Sequence, residues 1–247
     1  MLKLLLLLAS LAVLWWFIRK DASEFAAFKR LTDTAGRQRF YRIWVLKSFL
    51  ALFGTSIVCL LILRQLQALL YLPDEFIPLA ARLGADMPTT GLLDKEFLAG
   101  CAAAAMVIGI LVGVLIAKRL KTSHAMLGDV EPLMPRNGAE TGWAALLSIN
   151  AGLSEECFFR LLLPLLLIGV LHNPLLAFVI ATILFGLVHL YQGAFGVVLT
   201  TLVGAVLAGL YLWTGSLLIT IAVHAGLDLF GLVVRPTFMR LLHRPTA

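Results

Sequence analysis

The sequence predicts an all-α fold: a polytopic membrane bundle of about seven transmembrane helices, with its chemistry in the last four. Three observations predict it. Of 247 residues, 61% are hydrophobic and only 14% charged. Mean hydropathy is +0.97. The apolar residues fall in runs close to the roughly 20 residues that cross a hydrocarbon core. A soluble domain carries about 25% charged residues, and a chain of this size cannot hide so much apolar surface within itself. A disordered or fibrous chain is excluded by the same composition. The net charge of +6 sits beside apolar runs, as cytoplasmic loops do, and implies no nucleic-acid partner. Cys59, Cys101 and Cys157 lie inside apolar runs and read as reduced, buried thiols.

The first span is 4–18, ending in Trp15-Trp16-Phe17 before Arg19-Lys20. Its positive charges follow the apolar run and no small-residue cleavage site comes after it, so it reads as an uncleaved anchor. The second and third spans are 43–63 and 97–117. The block 143–234 holds about four more, separated by Leu171-His172-Asn173-Pro174, Tyr191-Gln192-Gly193 and Trp213-Thr214-Gly215-Ser216, where Gly, Pro and Asn suit tight connections. Tyr191 and Trp213 read as interface aromatics. The stretch 143–170 exceeds one perpendicular span, so it is expected to tilt or to kink at Pro164. Gly109 with Gly113, and Gly204 with Gly209, read as close helix contacts.

Lys and Arg orient the chain. Arg19, Lys20, Lys29, Arg30, Arg37, Arg39 and Arg42 lie between spans one and two. Lys118, Arg119, Lys121 and Arg136 lie between spans three and four, and Arg235, Arg240 and Arg244 follow the last. Seven spans with the N-terminus outside and the C-terminus in the cytoplasm put all of these on one side. The protein is then a multi-pass integral membrane protein, in the cytoplasmic membrane if bacterial. Residues 1–140 form an N-terminal membrane region, 141–234 the core, and 235–247 a short basic tail. Two readings of 19–42, with Phe25, Phe28, Leu31 and Phe40 among its charges, stay open: an amphipathic helix on anionic lipid, or a solvated basic loop. The segment 65–95 reads as an external loop with a short helix around 76–83.

Within 143–234 the ionisable residues are Glu155, Glu156, Arg160, His172, His189, His224 and Asp228. His172 falls in a turn, and His124 and His243 read as solvated. A charge at the bilayer centre costs about 2.5–3.5 kcal/mol even on the lenient insertion scale, and such residues usually face the bundle interior and mark function. Glu156 and Arg160, four apart, share a helical face and can pair. His224 and Asp228 have the same spacing, so Asp228 can orient the His224 ring. Glu155 points about 100° away from Glu156, which leaves it without a local partner. One free carboxylate with two imidazoles suits hydrolysis: Glu155, with His189, as the base that takes a proton from water, and His224, steadied by Asp228, facing the negative oxygen of a tetrahedral intermediate.

Three motifs carry a resemblance. Glu155-Glu156-Cys157-Phe158-Phe159-Arg160 is similar to EExxxR, Phe185-Gly186-Leu187-Val188-His189 to FxxxH, and His224-Ala225-Gly226-Leu227-Asp228 to HxxxN/D. In this order on successive helices they resemble the CAAX prenyl endopeptidase and bacteriocin-processing family, also called Abi, over about 141–234. The resemblance implies an intramembrane protease of the glutamate type. It implies Glu155 and His189 as the water-activating pair, His224 and Asp228 at the oxyanion, and Glu156, Arg160 and Phe185 in support. It implies a membrane-associated peptide or protein as substrate and calls for no cofactor or metal. Two positions depart from the pattern: Asp228 stands where the prenyl-processing branch has Asn, and Leu161 where many bacterial members have Gly.

The rival enzyme is a metalloprotease with the same side chains as zinc ligands, although the chain has no HExxH. Ser154 and Ser216 suit helix packing or helix starts better than a serine nucleophile, and one Asp in the block is too few for an aspartate pair. Outside enzymes, a transporter, a maturation scaffold or an immunity protein also places Glu and His in the membrane. A purely structural polar network explains Glu156 and Arg160, but a half-satisfied network costs stability, so it explains Glu155 and the two histidines poorly.

Overall fold

The computed structural model describes residues 1–83 and 131–242. The third predicted span, Cys101, the Gly109–Gly113 pair, His124 and His243 lie outside the described residues. Every regular element among the described residues is helical. In chain order these are α1 (Leu2–Ile18), α2 (Asp21–Lys29), α3 (Thr34–Leu63), α4 (Ile77–Arg82), α5 (138–171), α6 (Pro174–Leu187), α7 (Gly193–Thr214) and α8 (Leu217–Phe238). Four stretches, Leu2–Lys29, Thr34–Leu63, Leu190–Thr214 and Leu217–Phe238, are long and apolar enough to cross a membrane. Their outer faces are apolar where a soluble protein is polar: Leu5, Leu61, Phe195 and Val206 are more than half exposed. The protein is an integral membrane protein.

Local chemistry sets the helix ends. Asp33, Asn137, Asn173 and Ser216 cap α3, α5, α6 and α8, each side chain accepting from a backbone N–H in the first turn, a contact worth about 1 kcal/mol. His172 ends α5 in the left-handed region at φ 54°, so it is a turn residue in fact. Pro164 does not break α5. A π-helical turn, Cys157–Leu162, precedes it, and the widened turn absorbs the hydrogen bond that proline cannot make. The same device, Phe230–Val234, precedes Pro236 in α8.

α5 is the spine. Its first half packs against α3 and α8, and its second half against α1 and α6, while α7 packs on α6. Arg37, wholly buried, ties α3 to the start of α5. Its Nε lies 3.0 Å from Glu140 Oε2, its Nη2 donates to the carbonyls of Pro132 and Met134, both at 3.0 Å, and its guanidinium lies 4.2 Å from the Phe28 ring centroid. This arginine counts as a loop charge in the sequence, but it is a core group.

The 19–42 segment follows neither reading. It folds into α2 and the start of α3, and Phe25 and Phe28 are buried in a cluster with Tyr41 and Leu133, against Trp143, Leu147 and Tyr191. The apolar face of α2 therefore meets protein instead of lipid. Lys47 holds Asp21 at 2.9 Å and Glu24 at 3.2 Å, and Trp44 Nε1 donates to Glu24.

On the opposite end of the bundle, Lys3 donates to Glu75 at 3.0 Å. Burial works against the charge of Glu75, but its own backbone N–H and Lys3 outweigh this and hold the carboxyl below the usual carboxylate range. A depressed folded value gives stability that is present above the unfolded value, about 4.3, and is lost as pH falls through the folded one. Glu75→Gln is therefore expected to flatten the loss of melting temperature between about pH 5 and pH 3, by under about 1 kcal/mol because the pair is partly exposed. Thermal melts against pH check this.

Candidate active site

The charged residues of the three motifs come together where α5, the end of α6 and α8 meet. Glu156 is fully buried and serves two partners. Its Oε2 pairs with Arg160 Nε at 3.1 Å, as the spacing predicts. Its Oε1 accepts from His224 Nδ1 at 2.6 Å. His224 Nε2 faces the other two acids, with Glu155 Oε2 at 3.9 Å and Asp228 Oδ2 at 3.8 Å. The short contact that orients the His224 ring thus comes from Glu156 on another helix, with Asp228 farther off. Helix spacing alone cannot reveal a partner 68 positions away in sequence.

Phe185 is the aromatic hub. The Arg160 guanidinium lies 4.2 Å from its ring centroid, a cation–π contact that compensates a buried cation. The rings of His189 and His224 lie 5.1 Å and 5.9 Å from it. Gly204 of α7 makes room, since a Cβ there stands 2.7 Å from Phe185 Cδ1, whereas Gly209 faces open space.

His189 follows the end of α6, and its Nδ1 lies 2.8 Å from the Phe185 carbonyl oxygen. A carbonyl only accepts, so Nδ1 carries a proton, and in the neutral ring Nε2 keeps its lone pair. Glu155 Oε2 is buried and makes no hydrogen bond among the described residues. Glu155 and His189 line one cavity of about 120 Å³. Ser48 and Asp21 also line it, with Trp44 and Tyr191.

Two sets of residues at the site are not singled out by the sequence. One is Asn150, which donates to Ser48 Oγ at 2.6 Å and accepts from Ser154, joining α5 to α3 one turn before Glu155. An uncharged polar residue in a span gives no alarm. The other is the aromatic wall from Phe17, Phe25, Trp44 and Tyr191. Tyr191 lines this cavity, and Trp213 is half exposed. Ser216 is an N-cap. Among the described residues no group of three or more His, Cys, Asp or Glu side chains is arranged to hold a metal ion.

Residues 137–230 match the Rce1-like family, described as type II CAAX prenyl endopeptidase Rce1-like. This segment is similar to that family. The match takes in all three motifs and bears out the resemblance read from them. The Rce1-like family is a family of proteases, hence hydrolases. No curated protein and no solved structure matches the chain. The cavity beside Glu155 joins both parts of the molecule, because α1, α2 and α3, which supply Phe17, Phe25 and Trp44, lie outside the Rce1-like segment.

Proposed function

We propose that the protein is an intramembrane endopeptidase that cleaves a membrane-associated peptide or protein with water activated by Glu155 and His189. The observation that carries this reading is Glu155, a carboxylate oxygen inside the bundle with no hydrogen bond among the described residues, in one cavity with His189. Other buried polar atoms among the described residues also lack hydrogen bonds, but of their residues Glu155 is the one that lines this cavity, and an ionisable group inside a bundle points to function.

Glu155 takes a proton from water while the lone pair of His189 Nε2 holds the same water in line. The water oxygen bonds to the peptide carbonyl carbon, and negative charge moves to the carbonyl oxygen. His224 Nε2, when it carries a proton, donates to that oxygen, its ring held by Glu156. Asp228, ionised, has no proton to donate, so its part is to orient His224 unless it is protonated. The C–N bond then breaks, and the proton held by Glu155 passes to the departing amine. Glu156 and Arg160 keep the helices in place.

Seven spans with the N-terminus outside remain the orientation proposed here. The Lys and Arg residues between α1 and α3, at the end of the bundle opposite Lys3 and Glu75, support it. The test of function is to reconstitute the purified protein in vesicles with membrane proteins from its host and to find new fragments by mass spectrometry. Fragments are expected, and they are expected to persist after dialysis against a strong chelator. Their loss on chelation, with return on adding zinc, would favour the metal-dependent rival. No fragments at all would remove the protease.

Gly152 gives a second expectation. α5 and α8 cross there so closely that an added Cβ stands 2.8 Å from Ala225 Cβ and backbone N. Gly152→Leu is expected to push His224 off the α5 acids and lower cleavage by about 10- to 100-fold, since a shift near 1 Å is enough for the larger loss. Fragment yield per unit time reads it.

A further inference from the structure

The cavity beside Glu155 holds about 120 Å³. A cavity of about 150 Å³ takes a single benzene molecule, and a peptide bond with a residue on each side of it is larger than benzene. A peptide therefore reaches Glu155 only where the wall of this cavity parts. A second hollow, of about 330 Å³, marks the place. It is a groove between α2 and the turn before α7, with Ala22, Phe25 and Ala26 on one side and Tyr191, Gln192 and Gly193 on the other. Phe25 and Tyr191 line both spaces. Their rings meet edge to face with centroids 5.2 Å apart, so this pair is the partition between groove and cavity.

The groove suits an extended main chain. Ala22 and Ala26, four apart, share one face of α2, and with Gly193 they leave room for a backbone to come close. Gln192 Oε1 is buried and accepts no hydrogen bond among the described residues, while Gln192 Nε2 donates to Tyr191 Oη at 3.0 Å. A peptide N–H is the kind of donor that oxygen lacks. α2 is also built to yield. It has nine residues between short links to α1 and α3, and the Lys47 pairs that hold Asp21 and Glu24 are partly exposed, which makes them weak.

We infer that this groove is a substrate-binding site for the extended stretch of peptide that leads to the cleaved bond, and that Phe25 and Tyr191 are the gate through which the peptide reaches Glu155. The inference rests on the protease reading, but the gate is tested apart from it.

The first arm needs no activity. The full chain carrying Glu155→Gln and Ala151→Cys is placed in lipid nanodiscs, and N-ethylmaleimide is the probe. Ala151 lines the inner cavity, so the labelling rate of the new thiol, read by mass spectrometry of its peptide, reports passage through the gate. Phe25→Ala is expected to raise that rate about tenfold or more, and Ala26→Trp, which fills the groove, to lower it as far, as expected where a gate limits access. Ala27→Trp, on the same helix but outside the groove lining, is expected to leave it unchanged. Thermal melts check the folding of each variant, and Ala22→Trp replaces Ala26→Trp if the latter does not fold. A rate that neither Phe25→Ala nor the filled groove changes, no labelling in any variant, or an equal drop with Ala27→Trp overturns the gate whatever the protein's activity. The second arm follows cleavage with Glu155 intact. Ala26→Trp is expected to lower the yield of fragments about tenfold or more, and Ala27→Trp to leave it unchanged. Full cleavage with the groove filled overturns the substrate site alone. No Glu155-dependent cleavage in the parent sinks the protease reading, and the first arm still decides the gate.

Discussion

Glu155→Gln is expected to lower cleavage by about 10²- to 10⁴-fold, the range that a positioned acid or base contributes, while leaving the melting temperature nearly unchanged. The amide keeps the volume and polarity of the side chain and removes only its ability to take a proton. Little structure depends on that ability, because Glu155 Oε2 makes no hydrogen bond among the described residues and His224 Nε2 is 3.9 Å away. His189→Gln is expected to fall in the same range, for loss of the lone pair on Nε2. Its effect on folding is larger, since the ring packs on Phe185 and Tyr191. Rates of fragment release, beside thermal melts of each variant, separate the two effects. Full activity in both variants defeats the assignment of the base.

Glu156→Leu is expected to have the largest effect on stability, about 3–5 kcal/mol, because it removes one partner of a buried pair and leaves the other charged. Arg160 and Glu156 are both almost wholly buried, and without the carboxylate the arginine is left against the Phe185 ring. The double change Glu156→Leu with Arg160→Leu is expected to recover most of that loss, since a buried pair removed together is often replaced at little cost. Cleavage is not expected to return with it. His224 Nδ1 has lost the Oε1 atom that it met at 2.6 Å, and the ring is free to turn. A Glu156→Leu protein as stable as the parent contradicts the pairing; a double variant that is stable and fully active contradicts the orienting role of Glu156.

Much of this was legible in the sequence, for physical reasons. Apolar runs near bilayer length mark spans because lipid leaves the backbone no other partner. The helix start at Ser216, and the turn at His172, follow from local hydrogen bonding. Glu156 with Arg160 is visible as a four-residue step. What stayed hidden depends on packing between distant segments. The Glu156 hold on His224 spans 68 positions. Arg37, one of many loop cations in the sequence, is buried against Glu140. The face of α2 carries the same amphipathic pattern whether it meets lipid or protein, so only the fold shows Phe25 closing the cavity. Asn150 carries no charge, and nothing in a hydropathy pattern marks it.

The proposed chemistry turns on one water molecule held between Glu155 and His189. A crystal structure of the protein in lipid, at a resolution that shows ordered water, tests this most directly. The expected result is a water in the cavity within about 2.6–3.2 Å of both the Glu155 carboxylate and His189 Nε2, with His224 Nε2 on the side where a peptide carbonyl fits. Side chains turned away from one another, or a dry apolar cavity beside Glu155, would contradict it.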